Sequence, residues 1–401
     1  MKKNKCKYKK PNFFVYGVFY IISKIISKLK FNLKIKRNEI KKAKGPYIVI
    51  ANHESSIDFI NLAASTKHRL SFVISNSFYN SLKVNPLLKA CGVIPKQQFQ
   101  TNASDMKKMK QVISNNGKLV VYPAGLMTEN GVSTPIPVST AKFLKWLDVD
   151  VYVAYTEGSY LTNPKWGKGF RKGKITLDIY KLFTKEQLAE YPLEELSKLI
   201  YDKLYYNAYK NQERNMIPYK NGNNIQGLQN VLYWCPKCNK EFTYEITSNN
   251  TMKCSHCGNE VYLDEYGFLN PQTENDNYYK HPSDWSENIY NNLYDEVSKN
   301  INYALETTCT FKMLNYKKHQ FEEICKGSIS LDKDKFTLNG DFNGENTLEV
   351  LIKSLPTLPF KPGVHLEIQD GNTIYRCCFD DGKLVTKWIN LLKVFYELNN
   401  K

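Results

Sequence analysis

Tyr47-Ile48-Val49-Ile50-Ala51-Asn52-His53-Glu54-Ser55-Ser56-Ile57-Asp58 is the stretch that decides how this chain is read. Its first five residues are an unbroken apolar run, the pattern of a strand buried on both faces. Phe59-Ile60-Asn61-Leu62-Ala63-Ala64 follows as the start of a helix, with Ser55 or Ser56 as its cap. His53 then lies at the strand's exit and Asp58 in the first helical turn. From there the carboxylate reaches one imidazole nitrogen and leaves the other facing an open cleft. A histidine held this way takes a proton from an alcohol, while the aspartate fixes its tautomer and stabilises the imidazolium. No serine or cysteine nucleophile is needed when the substrate brings its own hydroxyl. A lone histidine at a strand end is more often structural, so the blocks that follow in order carry the weight.

Cys91-Gly92-Val93-Ile94-Pro95-Lys96 is an apolar block ending in a base. A helical pattern through Met106, Met109, Val112 and Ile113, with Ser104 as a cap, stops at Asn115-Asn116-Gly117. Leu119-Val120-Val121-Tyr122 reads as a strand, and Pro123-Ala124-Gly125-Leu126-Met127-Thr128-Glu129-Asn130-Gly131 as the loop after it. A helix over 140–147, a strand over 149–155 and Gly158-Ser159-Tyr160 complete the series.

Four blocks in this order, over residues 46–180, resemble the lysophosphatidic acid acyltransferase (PlsC-like) family of glycerolipid acyltransferases. Asn52, His53 and Asp58 fall on that family's N-H-x-x-x-x-D signature. The loop from Pro123 falls on its F-P-E-G-T-R block. The resemblance implies an α/β catalytic fold, with His53 and Asp58 as the catalytic pair. Asn52 and Ser55 would shape the site, and Lys96, Pro123 and Gly125 would serve the acceptor. Backbone N–H groups near Lys96 or Gly125 would hold the oxyanion. The departures are Ala124, Leu126 and Met127, where the family has glutamate, threonine and arginine. An apolar loop offers no charge to a phosphate, so a larger or less acidic head group suits it better. Lys165, Lys168, Arg171, Lys172 and Lys174 form a second basic group, readable either as phosphate binding or as a solvated run.

The net charge of the 401-residue chain is +17. Residues 1–45 hold fourteen lysines and one arginine against a single acid, so +14 of it is local. A nucleic-acid binder spreads basic charge over a folded face, and no nucleic-acid partner is expected. Between the lysines, Phe13 to Leu29 begins apolar all round and ends amphipathic, with Ser23, Lys24, Ser27 and Lys28 on one side. The run is short for a hydrocarbon core of about 30 Å. It reads as a monotopic helix dipping into one leaflet, with its lysines on an anionic membrane surface at the cytoplasmic face. A signal peptide is disfavoured, because no small-x-small cleavage site follows Ile22.

Cys235-Pro236-Lys237-Cys238 and Cys254-Ser255-His256-Cys257 are C-x-x-C pairs with fifteen residues between them. That spacing is a zinc ribbon, with Zn2+ in a closed four-thiolate shell that is structural. Asn239 and Gly258 suit the turn after each knuckle, and His256 points outward. Residues 241–245 and 251–253 form a hairpin. The ribbon's role is that of a spacer or protein-docking module.

Residues 269–297 read as an irregular linker. Short β-like runs follow, with turn signals at Asn339-Gly340, Asn343-Gly344 and Asp370-Gly371. A final helix carries the stripe Leu384, Trp388, Leu391, Leu392, Phe395 and Leu398. Strands closed by one helix resemble a small β-rich, pleckstrin-homology-like domain.

The expected organisation is a basic membrane-associating segment (1–45), an acyltransferase domain (46–215), a zinc ribbon (229–268), a linker (269–297) and the β-rich domain (298–401). The expected activity moves an acyl chain from acyl-CoA or acyl carrier protein to the hydroxyl of a lysophospholipid, in phospholipid biosynthesis or remodelling. The alternative is a catalytically silent membrane scaffold of the same fold.

Overall fold

The structure, a computed structural model, describes residues 8, 10–99, 102–220, 224–300, 302–342 and 344–400. Lys2, Lys3, Lys5, Cys6, Lys7 and Lys9 of the basic segment, and Asn343 of one expected turn, lie outside the described residues. The chain divides into two units, residues 1–164 with 170–220, and residues 165–169 with 221–401.

In chain order the first unit runs α1 (Phe13–Leu29), β1 (Leu33–Asn38), β2 (Tyr47–Ala51), α2 (Asp58–Ser65), β3 (Leu70–Ser75), α3 (Asn76–Asn80), α4 (Asn85–Ala90) and β4 (Ile94–Lys96). It continues with α5 (Ala103–Ser114), β5 (Lys118–Val121), α6 (Ser139–Leu147), β6 (Asp150–Glu157) and α7 (Ser159–Thr162). It closes with β7 (Ile175–Phe183), α8 (Lys185–Glu190), α9 (Leu193–Leu204) and α10 (Ala208–Asn215). The strands form one sheet in the order β1-β7-β6-β2-β5-β3-β4. Only the β6–β7 pairing is antiparallel within it.

β2 is central and buried along its whole length, as its apolar run requires. Tyr47, Val49 and Ala51 face a core shared with Tyr16 of α1 and with Leu62 and Ala63 of α2. Ile48 and Ile50 face the opposite core, with Met109 and Val112 of α5, Leu144 of α6 and Ile200 of α9. This is a three-layer α/β/α arrangement with β2 covered on both faces. The chain leaves β5 on one side of β2 and returns as β6 on the other. In open α/β sheets, the crevice beyond the strand C-termini at such a crossing is where ligands bind. β1 pairs with β7 at the sheet edge, so the fold begins before the expected boundary at residue 46.

α1 has the expected length but not the expected orientation. Ser23 and Ser27 are each 1% exposed, and with Tyr16 they form the buried face. Phe13, Phe14, Val18, Ile21, Ile22, Ile25 and Leu29 are all exposed. The serines therefore do not share the lysines' solvent side. Small side chains let α1 lie close on α2, where Phe19 stacks on Phe59. Among the described residues, no helix is long and apolar enough to cross a membrane.

The second unit runs β8 (Tyr244–Ile246), β9 (Thr251–Cys254), β10 (Glu260–Leu263), β11 (Leu269–Pro271) and α11 (Pro282–Ser298). Then come β12 (Leu305–Asn315), β13 (Gln320–Leu331), β14 (Lys335–Phe342), β15 (Glu345–Leu351), β16 (Phe360–Lys361), β17 (His365–Asp370), β18 (Thr373–Phe379) and α12 (Val385–Asn399). β8 and β9 are the expected hairpin, extended to a four-stranded sheet by β10 and β11. β12 to β18 form an antiparallel seven-stranded sheet in the order β15-β14-β13-β12-β18-β17-β16. Its core is filled by Trp388, Ile389, Leu391, Leu392 and Phe395 of α12.

Two local expectations fail here. Residues 269–297 are not an irregular linker but β11, a loop and the 17-residue α11. Trp285, Ile289, Leu293 and Val297 recur every four residues on its buried face, with Pro282 in the first turn. Asn339-Gly340 is not a turn. It lies inside β14, where the register with β15 slips between Asn339 and Phe342, the mark of a bulge.

Candidate active site

β2 ends at Ala51, and the next six residues fold into a compact hook before α2 begins. Asn52 anchors the hook. Its amide donates to the Thr156 carbonyl at 2.7 Å and accepts from the Thr156 N–H at 2.8 Å, tying the end of β2 to β6. Ser55 is likewise engaged: its hydroxyl donates to the Asn163 carbonyl at 2.7 Å and receives the Asn163 amide at 3.0 Å. Neither Ser55 nor Ser56 caps α2. Ile57 is the cap residue, and no side chain bonds there. Instead the Asp58 carboxylate turns back on the hook, where its Oδ2 accepts from the backbone N–H groups of Glu54 at 2.8 Å and Ser55 at 2.9 Å.

The same Oδ2 lies 3.0 Å from Nδ1 of His53. A carboxylate at Nδ1 assigns the proton to that nitrogen and leaves the Nε2 lone pair as the base. Asp58 is buried, whereas His53 keeps about a fifth of its side chain open. The imidazole lies on the Tyr122 ring at 4.4 Å between centroids. Tyr122 directly follows β5, so the carboxyl ends of β2 and β5 supply the base and the surface it rests on.

The loop after β5 is bonded to the hook through the Thr128 N–H, which donates to the His53 carbonyl at 3.1 Å. Gly125 has φ +73°, and its N–H donates to the Tyr122 carbonyl at 3.0 Å, closing the turn around Pro123. Its carbonyl accepts from the Gln98 amide at 2.6 Å. Gly125's own amide is thus part of the turn. Lys96, at the end of β4, is half-buried, and its ammonium donates to the Gln97 carbonyl at 2.9 Å. Burial lowers the Lys96 pKa, and the neighbouring Asp105 opposes that shift. The second basic group does not act as one cluster. Lys165 and Lys168 belong to the second unit, while Arg171 is buried in the first, near Tyr160 and Tyr209.

Sequence reasoning passed over three of these residues. Glu54 is completely buried, and loss of solvation, with the Asp58 carboxylate nearby, holds its carboxyl well above the usual range. Tyr122 and Thr128 fix the base from the side and from the backbone. Tyr122 falls on the first position of the F-P-E-G-T-R block, but its contact with the imidazole, like the Thr128 bond, depends on a β2–β5 pairing that is distant in sequence.

In the second unit, ligand atoms of Cys235, Cys238, Cys254 and Cys257 lie within 4.8 Å of one another. Asn239 (φ +58°) and Gly258 (φ +76°) take the left-handed conformation after each knuckle, and their N–H groups donate to Cys235 and Cys254. His256 is exposed and takes no part. The donor set fits a metal ion: four soft sulfurs converge from two knuckles that need no rearrangement.

Residues 32–169 match the protein family described as Acyltransferase. The crystal structure of the 1-acyl-sn-glycerophosphate (LPA) acyltransferase PlsC from Thermotoga maritima is similar to this chain. It shares 18% sequence identity with a TM-score of 0.42, over 48% of this chain and 77% of that one. No curated protein matches the chain. The matched segment thus begins one residue before β1 and includes the hook, Lys96 and the loop after β5. The four-cysteine cluster and the antiparallel sheet β12 to β18 lie outside it.

Proposed function

We propose that this chain transfers an acyl group from a thioester, acyl-CoA or acyl carrier protein, to the free hydroxyl of a lysophospholipid at the cytoplasmic face of a membrane. The observation that carries this is the His53–Asp58 pair, with Nδ1 held at 3.0 Å by a buried carboxylate that two backbone N–H groups also fix. The acceptor hydroxyl gives its proton to Nε2 as its oxygen attacks the thioester carbonyl. The C–O bond forms, and the carbonyl becomes a tetrahedral oxyanion. That intermediate collapses by breaking the C–S bond, and the imidazolium returns the proton to the leaving thiolate. Asp58 stabilises the imidazolium between the two transfers. Asn52 and Ser55 position the hook, and Lys96 is the charged contact for the acceptor's phosphate. Ala124, Leu126 and Met127 favour acceptors whose head group is less acidic than a phosphate monoester.

The four cysteines would hold Zn2+, which would supply folding free energy and no chemistry. We read the antiparallel sheet β12 to β18 as a pleckstrin-homology-like domain, a reading supported by its two meanders joined through the β12–β18 pairing and by α12 packed on it. The exposed apolar residues of α1 would enter one leaflet.

The test is acyl transfer by purified protein across several lysophospholipid acceptors. His53→Ala is expected to lose activity by about 10²–10⁴-fold, and Asp58→Asn to fall severely through the wrong tautomer. Wild-type turnover by His53→Ala would overturn this mechanism, whereas absence of transfer by the wild type to every acceptor would leave the silent-scaffold alternative, which the apolar loop favours.

A further inference from the structure

α4 is a helix with no buried residue, although four of its six residues, Pro86, Leu87, Leu88 and Ala90, are apolar. Beside it, Phe78 of α3 is 45% exposed, Val84 49% and Leu87 50%. Single exposed apolar side chains are ordinary, but three within ten residues, on two adjoining short helices and the turn between them, form a patch.

The patch is joined to the exposed face of α1. The Asn12 N–H, just before α1, donates to the Ala90 carbonyl at 2.8 Å. The Arg69 guanidinium donates to the Pro11 carbonyl at 2.7 Å. At Gly92 (φ +69°) a Cβ would meet the Pro11 ring at 2.7 Å, so only glycine allows this approach. The end of α4 is thereby fixed against the start of α1, where Phe13 and Phe14 stand exposed.

Charge names the occupant. From Phe59 to Ser104 the chain has no aspartate or glutamate, but it has Lys67, Arg69, Lys83, Lys89 and Lys96. α1 also has no acid, and Lys24, Lys28 and Lys30 line its second half. Lys83 and Lys89 are exposed and bracket Val84 and Leu87. Apolar tips set among bases of one sign match an anionic lipid surface, which takes the side chains below the head groups and leaves the ammonium groups among the phosphates.

We propose that residues 76–90 are a second membrane-insertion element, docking beside α1 into an anionic phospholipid bilayer. This rests on the membrane reading of α1 and adds to it. One helix lying in an interface is free to roll about its axis, whereas two elements in contact fix the orientation of the domain that carries His53.

The test uses the full chain and vesicles of phosphatidylglycerol and phosphatidylcholine. Sedimentation compares wild type with Phe78→Ser/Val84→Ser/Leu87→Ser and with Lys83→Glu/Lys89→Glu. The triple variant is expected to bind about tenfold more weakly, with unchanged circular dichroism, since three partly exposed apolar side chains are lost from the buried surface. The charge-reversed variant is expected to weaken binding at low salt and much less at high salt. Leu87→Trp adds a reporter that is independent of folding losses, and its emission is expected to be quenched by brominated lipid beyond the wild-type background. Wild-type binding with an unaffected triple variant and an unquenched Leu87→Trp would overturn this element while leaving α1 as the anchor. A wild type that ignores the vesicles would overturn both. A dimer lost in the triple variant, with vesicle binding intact, would overturn it in favour of a contact between two copies of this chain.

Discussion

Glu54 separates the two members of the His53–Asp58 pair in sequence and is buried beside them. One carboxylate oxygen of Asp58 serves the His53 ring and two backbone N–H groups at once. A second ionised carboxylate in the same dry space is costly, and burial first, then Asp58, keeps Glu54 protonated above the usual carboxylate range. The sign of the effect follows. Below the ordinary carboxylate pKa, both the folded and unfolded chains hold this proton. As pH rises, the unfolded chain releases it and the folded chain does not, so Glu54 lowers stability by up to about 1.4 kcal/mol per pH unit until the raised pKa is reached. Glu54→Gln keeps the shape without the proton. Its melting temperature is expected to match wild type near pH 4 and to exceed it progressively towards pH 8. A constant difference across that range would mean Glu54 is ionised when folded. The two catalytic candidates were legible from sequence because a strand followed by a helix brings residues five apart together. The buried environment of Glu54 was not, because it arises from β6 and from tyrosines far along the chain.

α1 shows where element-level reading stops. Its length and its apolar character are local properties, and both are visible in Phe13 to Leu29. Which face turns inward is decided by α2. A conventional amphipathic helix buries its isoleucines, but this one buries Ser23 and Ser27, whose small side chains suit close helix packing, and turns Ile21, Ile22 and Ile25 outward. Enlarging the seam is therefore expected to be harmful although it adds hydrophobicity. Ser27→Leu should cost about 1–3 kcal/mol by overpacking, measured as a loss of stability in urea. Ile25→Ser, on the exposed face, is expected to change stability by less than about 0.5 kcal/mol. If Ser27→Leu stabilises the protein, the seam is not close-packed. α11 is the converse case. Its composition of Asn, Tyr, Asp and Ser hid a helix whose period of four becomes evident only through Trp285, Ile289, Leu293 and Val297. Gly340 likewise suggested a turn, because a glycine in a bulge and a glycine in a hairpin look alike without the partner strand.

At the scale of the molecule, the order of the sheet strands in both units depended on pairings between distant segments, such as β12 with β18, which no local pattern encodes. The zinc-like spacing was legible because each knuckle is only four residues long. What the spacing did not disclose is how the ribbon joins the β-rich part of its unit. α11 provides the connection. Trp285 and Ile289 pack with Cys235, Tyr244 and Cys254 in the ribbon core. Leu293 and Val297, two turns on, pack with Phe336, Trp388 and Phe395 in the core between α12 and the C-terminal sheet. The Trp285 indole N–H also donates to the Trp234 carbonyl at 2.9 Å, one residue before the first knuckle. If the four cysteines hold a metal, its loss would remove the structure holding Trp234, and with it the seat of Trp285. Structural zinc supplies folding free energy, so its removal is expected to unfold the ribbon and loosen the N-terminal half of α11. Protein purified without chelators should carry one zinc per chain by elemental analysis. Chelation should shift Trp fluorescence to the red and lower the melting temperature of the C-terminal β-rich region, and restoring zinc should reverse both. Cys238→Ser should reproduce the chelated state. An unshifted transition of the C-terminal β-rich region after complete zinc removal would show that α11 does not couple the two cores, and absence of zinc from the native protein would remove the metal from the account altogether.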